Sequence, residues 1–452
     1  MAYTILILVT HINLGIVKLI SEKGGVNLSL KSERINIGNG IHLNLIKTSK
    51  FKSNLLSFYF LRPLSKEEVT RNALIPLILK RGSKEFPNNL SIQKKLEESY
   101  GADLSIAINK RGEKHVLRFT VESINGDYIG DKNYIYGVME LLKSIIYNPV
   151  LENGYFKKDY VEQEKENLRR RIEGRINEKR SYALDRCIEE MCKNEKYSIY
   201  PLGSIEDLNI LDEKALYEHY LSVVKTSPVE IFFVGDYDHN IISYIKEIPD
   251  LNRGEILSLP REQITSGVKT KNMVSEDLDV TQGKFVLGFR TGIPYEDKLY
   301  RGLIVGSDIL GGGPNSKLFK NVREKESLAY YITSTIHKYK SLMLVDGGID
   351  FGNFERAIDI VKEQIAEVQK GNFSEDDMEI SKKSITSSTE SIRDSIFLIS
   401  EYFFSQKLSN DYRSLTEIVD DINSVTKEEV VEAMSKLALD TIYFMKNSKM
   451  MG

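Results

Sequence analysis

The sequence predicts an α+β fold built from two copies of one unit joined by a linker. Three observations carry this. At 452 residues the chain is too long for a single compact core. Strand-like alternation and helical periodicity recur in the same order in both halves. Late in each half the sequence echoes itself: SIEDLNILDEKALYEHYLSVV from Ser204 is answered by VDDINSVTKEEVVEAMSKLA from Val419, with Asp207, Leu208 and Asn209 matching Asp421, Ile422 and Asn423. Each echo runs into an apolar strand, Ile231–Val234 in one half and Ile442–Met445 in the other. The expected layout is an N-terminal extension or strand over 1–34, a first half over 35–235, a linker over 236–275 and a second half over 276–452.

Alternation over Ile35–Phe60, with Gly38-Asn39-Gly40 as a turn, predicts a hairpin. Thr70 is placed to cap a helix over Arg71–Lys80, and a second helix over Ser91–Tyr100 stops at Gly101. Strands are expected near Leu104–Asn109 and Val116–Ser123, then a helix over Tyr134–Tyr147. A long charged helix from Lys157 to Lys193 follows, with Leu168, Ile172 and Ile176 and then Leu184, Ile188 and Met191 at helical spacing. A short helix over Glu213–Val224 and a strand over Val229–Val234 close the half. Pro249, Gly254, Pro260 and Gly267 mark the polar linker. The second half reads as a strand over Gly283–Phe289 and a helix over Tyr300–Leu310. Strands near Ala329–Ile336 and Leu342–Ile349 come next, then helices over Phe354–Lys370 and Glu375–Leu408.

With 62 basic and 65 acidic residues the net charge is −3, which argues against nucleic acid or an anionic membrane as partner. Cys187 and Cys192, the two cysteines, lie five apart in a helical pattern and fit small hydrophobes in a reducing compartment. The six histidines are scattered, with no two within one helical turn, against a histidine-rich metal centre. The apolar start MAYTILILVTHINLGIVKLI has no basic flank and is interrupted by His11 and Asn13, so it reads as a strand or extension and not as a signal or membrane span. The cytoplasm is the expected location.

The most informative stretch is Leu310–Tyr331, LGGGPNSKLFKNVREKESLAYY. Gly311, Gly312 and Gly313 lack a Cβ, so another backbone can approach closely there. A helical pattern marked by Leu318, Phe319, Val322 and Leu328 follows. Arg323 and Tyr330 then supply a guanidinium and a phenol suited to holding a peptide carbonyl or an oxyanion. On these residues alone, a tight loop with a surface arginine and a core tyrosine is the favoured explanation. The pattern GGG-x-x-SKLF-x-x-VRE-K-x-x-LAY resembles the second-half signature of the pitrilysin/insulinase zinc peptidase superfamily, which includes the mitochondrial processing peptidases. The resemblance implies two α+β halves, each an antiparallel sheet with helices on one side, in a clam-shell arrangement. It also implies that Gly311, Gly312, Gly313, Arg323 and Tyr330 bind substrate.

Catalytic relatives carry His-x-x-Glu-His on the first helix of the first half, two histidines for zinc and a glutamate for the water. The matching stretch here is NALIPLILKRGS, which puts Ala73 and Leu77 at the ligand positions and Pro76 at the base position. None of the three can ligate zinc or move a proton, and no histidine lies between His42 and His115 to rescue a shifted register. Pro76 is also expected to kink the helix. Glu164 falls where a third ligand would stand. It reads as a relic ligand or as a helix-face carboxylate paired with Lys157, Lys165 or Arg169.

The resemblance is therefore to degenerate, non-catalytic bacterial subunits. It implies an inactive chain without metal or cofactor that completes a catalytic zinc peptidase partner of the same superfamily acting on peptides. A homodimer is the alternative for the chain on its own. A structural scaffold without proteolysis, with an association to elongation factor P modification, is the competing implication. A nucleotide site is disfavoured because Gly306 and Gly311–Gly313 lack the lysine of a P-loop.

Overall fold

The computed structural model describes residues 30–450, so the expectation for the apolar N-terminus falls outside the described residues. Two sheets organise the chain. The first has strand order β1-β2-β8-β3-β5-β4, comprising β1 (Glu33–Gly38), β2 (Ile41–Lys47), β3 (Ser53–Pro63), β4 (Asp103–Arg111), β5 (Lys114–Ile124) and β8 (Val229–Gly235). The second has order β9-β13-β10-β12-β11 when read from its other edge, comprising β9 (Asn272–Asp277), β10 (Gly283–Arg290), β11 (Ala329–His337), β12 (Leu342–Ile349) and β13 (Ala438–Lys446). Strand for strand the two orders agree from β2 and β9 onward. Both sheets are antiparallel except for one parallel pair in the same place, β2 with β8 and β9 with β13. A small hairpin of β6 (Leu151–Glu152) and β7 (Tyr155–Phe156) stands apart.

Among the described residues seven α-helices precede β8: α1 (Lys66–Leu79), α2 (Asn89–Glu98), α3 (Tyr134–Tyr147), α4 (Lys158–Glu173), α5 (Lys179–Met191), α6 (Ile205–Ile210) and α7 (Glu213–Thr226), which leads into it. The two echo segments fold alike. Ser204 and Asp212 cap α6 and α7, and Ser414 and Thr426 cap α13 (Leu415–Asn423) and α14 (Lys427–Ser435), each accepting from the backbone N–H three residues on. Helix α1 begins earlier than expected, with extended Ser65 at its N-cap and Glu67 and Glu68 in its first turn. Thr70 lies inside it and is committed elsewhere: its hydroxyl donates to Asp207 (3.2 Å) and accepts from Ser204 N–H (3.2 Å), tying α1 to α6. Within the stretch read as linker, the amphipathic segment α8 (His239–Glu247) sends Ile245 into the first core, joined there by Ile248.

Strand β8 is buried along its whole length, and apolar apart from Glu230, because both faces of the sheet are covered. Ile231 and Phe233 face the core shared with α1, α3, α4 and α7. Phe232 and Val234 face the other way, with Ile46, Leu55, Tyr59, Leu61 and Val116, onto Ile396, Ile399, Phe403 and Phe404 of α12 (Ile396–Ser409). That helix belongs to the second half. The reverse exchange also holds: α5 of the first half lays Ala183, Cys187, Ile188 and Met191 onto the second sheet. Gly288 in β10 permits this, since a Cβ there would stand 2.7 Å from Met191 Sδ. The two long helices expected from the sequence are accordingly broken. Each splits at a short 3-10 turn, at 174–177 and 391–394, and its second part crosses to the other half. Both cysteines are free and buried, and burial pushes the Cys192 thiol up to about 12.

The seam between halves is ionic as well as apolar. Glu401 on α12, 4% exposed, accepts from Tyr59 (2.9 Å), Arg118 (2.9 Å) and Arg111 (2.6 Å) of the first sheet. Lys340, fully buried, donates to Glu113 (2.7 Å) and to the Gln263 carbonyl (2.7 Å) and pairs with Glu195 (2.7 Å). Arg290 pairs with Glu195 (2.7 Å) and Asp440 (3.0 Å). Among the described residues, no helix is long and apolar enough to cross a membrane.

Candidate functional site

The helix that would carry metal ligands is α1. Ala73 is fully buried in the first core with Leu74, Ile75, Ile78 and Leu79, Pro76 is buried in the helix interior, and Leu77 packs against the same core. Proline has no N–H to return to the carbonyl four residues back, that of Asn72. The Asn72 side chain turns instead to His219 of α7, Oδ1 to Nε2 at 2.8 Å. Burial pushes that imidazole down to about 4, so it is neutral near pH 7. One histidine bonded to an amide is not a metal centre, and among the described residues no group of three or more His, Cys, Asp or Glu is placed to hold a metal ion.

Glu164 on α4 is 7% exposed, and its partners differ from those expected. Lys165 is engaged by Glu162 and by the Leu211 carbonyl, Arg169 by Glu166 and Asn209, and Lys157 lies over the Tyr160 ring. Arg81, two residues past α1, supplies the positive charge: its Nη1 stands 3.5 Å from Glu164 Oε1, and Asn167 donates to the same oxygen (3.2 Å). The guanidinium also donates to Gln163 and covers the Tyr160 ring at 5.3 Å. A buried carboxylate needs a compensating cation, and here an arginine fills that role. Arg81 carries no periodicity signal, so sequence inspection did not single it out.

The second group of residues lies at the end of α9 (Leu299–Gly311) and on β11. Gly311 is explained by packing: a Cβ would stand 2.6 Å from Ser334 N in β11, and Thr333 Oγ1 donates to the Gly311 carbonyl (3.0 Å). At Gly312 a Cβ would meet the Asp308 side chain, whereas at Gly313 nothing lies within 4 Å. The expected helix after the glycines is a wide π turn over Phe319–Lys325. Ser327, at φ 53°, ends it and delivers the chain to β11, and Leu328 N–H bonds back to the Val322 carbonyl (2.9 Å). Leu318 and Val322 anchor this turn in the core, and Arg323 is exposed with its guanidinium over the Phe319 ring at 4.5 Å.

Tyr330 sits on β11, an edge strand of the second sheet, where the register with β12 slips between Ala329 and Tyr331. Such a bulge re-aims a side chain, and Tyr330 is turned outward, 57% exposed. Its hydroxyl donates to Asp350 Oδ1 (2.8 Å), and that bond holds the phenol above its ordinary pKa. Asp350, just past β12, is the residue sequence inspection missed; only the β11–β12 pairing brings it to Tyr330. The π turn packs on β11, so Arg323 and Tyr330 share a neighbourhood, but they are not bonded to each other. Chemically the pair offers a cation and an oriented hydroxyl at an open strand edge.

A two-sheet α+β fold whose ligand helix carries alanine and leucine at the ligand positions and proline at the base position defines a metallopeptidase architecture without its catalytic centre. The chain belongs to the peptidase M16 family. Residues 211–385 match the model of the peptidase M16 inactive domain. The chain is 36% identical over 412 residues to the "Probable inactive metalloprotease YmfF" of Bacillus subtilis, covering 91% of this chain and 96% of that one. Among solved structures, a conserved protein from Enterococcus faecalis superposes with a TM-score of 0.85 at 27% identity, over 92% of this chain and 99% of that chain. A peptidase M16 inactive domain from Pseudomonas fluorescens shares the fold at 16% identity, with a TM-score of 0.76 over 93% and 99% of the two chains. The protein is an inactive peptidase homologue.

Proposed function

We propose that this chain is the non-catalytic subunit of a heterodimeric zinc metallopeptidase. It supplies Arg323, Tyr330 and the Gly311–Gly313 loop to peptide bound by a partner that carries His-x-x-Glu-His. The two halves in this reading are 35–235 and 276–452, joined by 236–275, and the assembly works in the cytoplasm. One contrast supports it most: Ala73 and Leu77 at the ligand positions and Pro76 at the base position are packed in or against the core, whereas Arg323 and Tyr330 are outside the core and bear polar groups. A scaffold gains nothing from an exposed tyrosine aimed by a bulge and fixed by a carboxylate.

The test is co-expression of the full chain with a zinc-site-bearing family member, followed by peptide cleavage and complex formation with Arg323→Ala and Tyr330→Phe. Loss of a donor that acts in the transition state costs roughly a hundredfold or more in cleavage. That loss is expected with the complex intact and the melting temperature unchanged, because neither side chain fills the core. Full cleavage in both variants removes the substrate role and leaves a scaffold.

A further inference from the structure

The two sheets differ at one edge. In the first sheet the strand parallel to β8 is β2, and its outer side is paired antiparallel by β1. In the second sheet the equivalent strand is β9, and among the described residues only β13 pairs with it. The segment that would fold back on β9 as a hairpin partner is used elsewhere. Glu262, 4% exposed, takes Lys114 (2.6 Å), and the Gln263 carbonyl takes Lys340 (2.7 Å). An unpaired strand edge presents a row of free N–H and C=O groups and is a template for another strand.

The side chains of that edge say which strand. Val274 and Leu278 pack against the second core, and Glu276 accepts from Tyr443 (2.8 Å) and Arg186 (2.7 Å). The alternate positions, Lys269, Lys271, Met273, Ser275, Asp277 and Asp279, are all exposed. Along this face the charges run Lys, Lys, then Asp, Asp about a centre at Val274. Antiparallel pairing of two copies across a two-fold axis at Val274 sets Lys271 opposite Asp277 and Lys269 opposite Asp279, with Met273 opposite Ser275. Shifting that register by two residues keeps at most one of the two Lys–Asp matches. Asp277 also accepts from Ser448 N–H (3.0 Å), and Lys271 and Asp279 have no ion-pair partner among the described residues.

We propose that β9 is a homodimerisation edge, pairing antiparallel with β9 of a second copy so that the two five-stranded sheets become continuous. The pairing is isologous: one patch meets itself, and the two-fold makes every Lys–Asp match occur twice. Main-chain hydrogen bonds supply the attraction and the charge pattern sets the register. Edge strand β11, with Tyr330, lies on the opposite side of the sheet, so the dimer leaves it open to a different partner. This inference does not depend on the catalytic-partner reading, and its test uses this chain alone.

Sedimentation velocity of the full chain, from about 1 to 100 µM, is expected to show a concentration-dependent dimer. Lys271→Asp places like charges opposite each other twice and weakens it at least about tenfold. Lys269→Asp, two residues further from the strand than Lys271, acts in the same direction. Adding Asp277→Lys to the first variant, or Asp279→Lys to the second, restores complementarity and recovers dimer. Lys271→Asp chains mixed with Asp277→Lys chains form heterodimers while each alone is weakened. A wild-type chain that stays monomeric throughout, a dimer indifferent to both lysine reversals, or failure of both charge swaps to restore association overturns the proposal.

Discussion

Replacing Glu401 with glutamine is the sharpest probe of how the two halves hold together. The carboxylate is buried and receives three donors from the opposite half: Tyr59 and Arg118 at 2.9 Å and Arg111 at 2.6 Å. Glutamine preserves the shape but removes the charge, and its amide presents N–H groups to guanidinium N–H groups. Arg111 keeps some access to water, with 22% of its side chain exposed, so most of the penalty falls on Arg118, 8% exposed and stacked over the Phe397 ring at 4.5 Å. Breaking a buried pair by removing one partner costs about 3–5 kcal/mol. Urea unfolding followed by tyrosine fluorescence measures this, since the chain has no tryptophan. The double variant Glu401→Met with Arg118→Met should lose less than the sum of its single variants, because it buries hydrocarbon where it removes charge. A Glu401→Gln protein within about 1 kcal/mol of wild type would refute the idea that this cluster clamps the halves.

Gly311→Ala should lower stability by about 1–3 kcal/mol, since its Cβ meets backbone at Ser334 that cannot rotate away; thermal melting checks it. Burial pushes His115 and His337 down to about 4, so the folded state favours their neutral forms. The stability this confers is complete above the unfolded value near 6.5 and is lost as pH falls through about 4, on the order of 3 kcal/mol for each. Urea midpoints at pH 7, 5 and 4 should therefore decline, and His115→Leu should remove part of the slope. Arg81→Ala leaves Glu164 buried without a cation and should cost about 1–3 kcal/mol by the same unfolding assay. Metal analysis of the purified chain should find no stoichiometric zinc, and about one tightly held ion per chain would contradict the reading of α1.

Local pattern carried much of the fold. Helix α3 is legible because its helical spacing is uninterrupted and it packs within the first half, and strands β5 and β12 are legible as largely apolar runs although residues of the other half reach both. The errors lie where tertiary contacts override local signals. Thr70 has a good capping side chain, yet Ser65 starts the helix and Thr70 bonds α6. The long helices read as continuous because their apolar spacing persists past 174 and 391, but the stripe after each break faces a different sheet. At the candidate site, the loss of the ligands at Ala73 and Leu77 and of the base at Pro76 is a matter of residue type and visible in the sequence. Asp350 beside Tyr330 and Arg81 beside Glu164 depend on pairing between distant segments, which no local spacing encodes.

The exchange of α5 and α12 constrains how a peptide could reach the exposed pair. Separating the halves would expose Phe403 and Phe404, at roughly 1.5–3 kcal/mol for each fully buried large apolar side chain. It would also strip Lys340 of Glu113, and Glu401 of Arg111 and Arg118. These costs add to more than the few kcal/mol that a minor conformational state can bear. The two halves therefore move as one body. Arg323 and Tyr330 are reached at the outer edge β11, whose side away from β12 has no strand partner among the described residues and which carries the outward tyrosine. In the proposed heterodimer a partner closing over that edge would govern entry, and this is why the Arg323→Ala and Tyr330→Phe variants must be read in the complex: any effect on the free chain's stability would point to packing, whereas an effect confined to cleavage by the pair would place both side chains on the peptide.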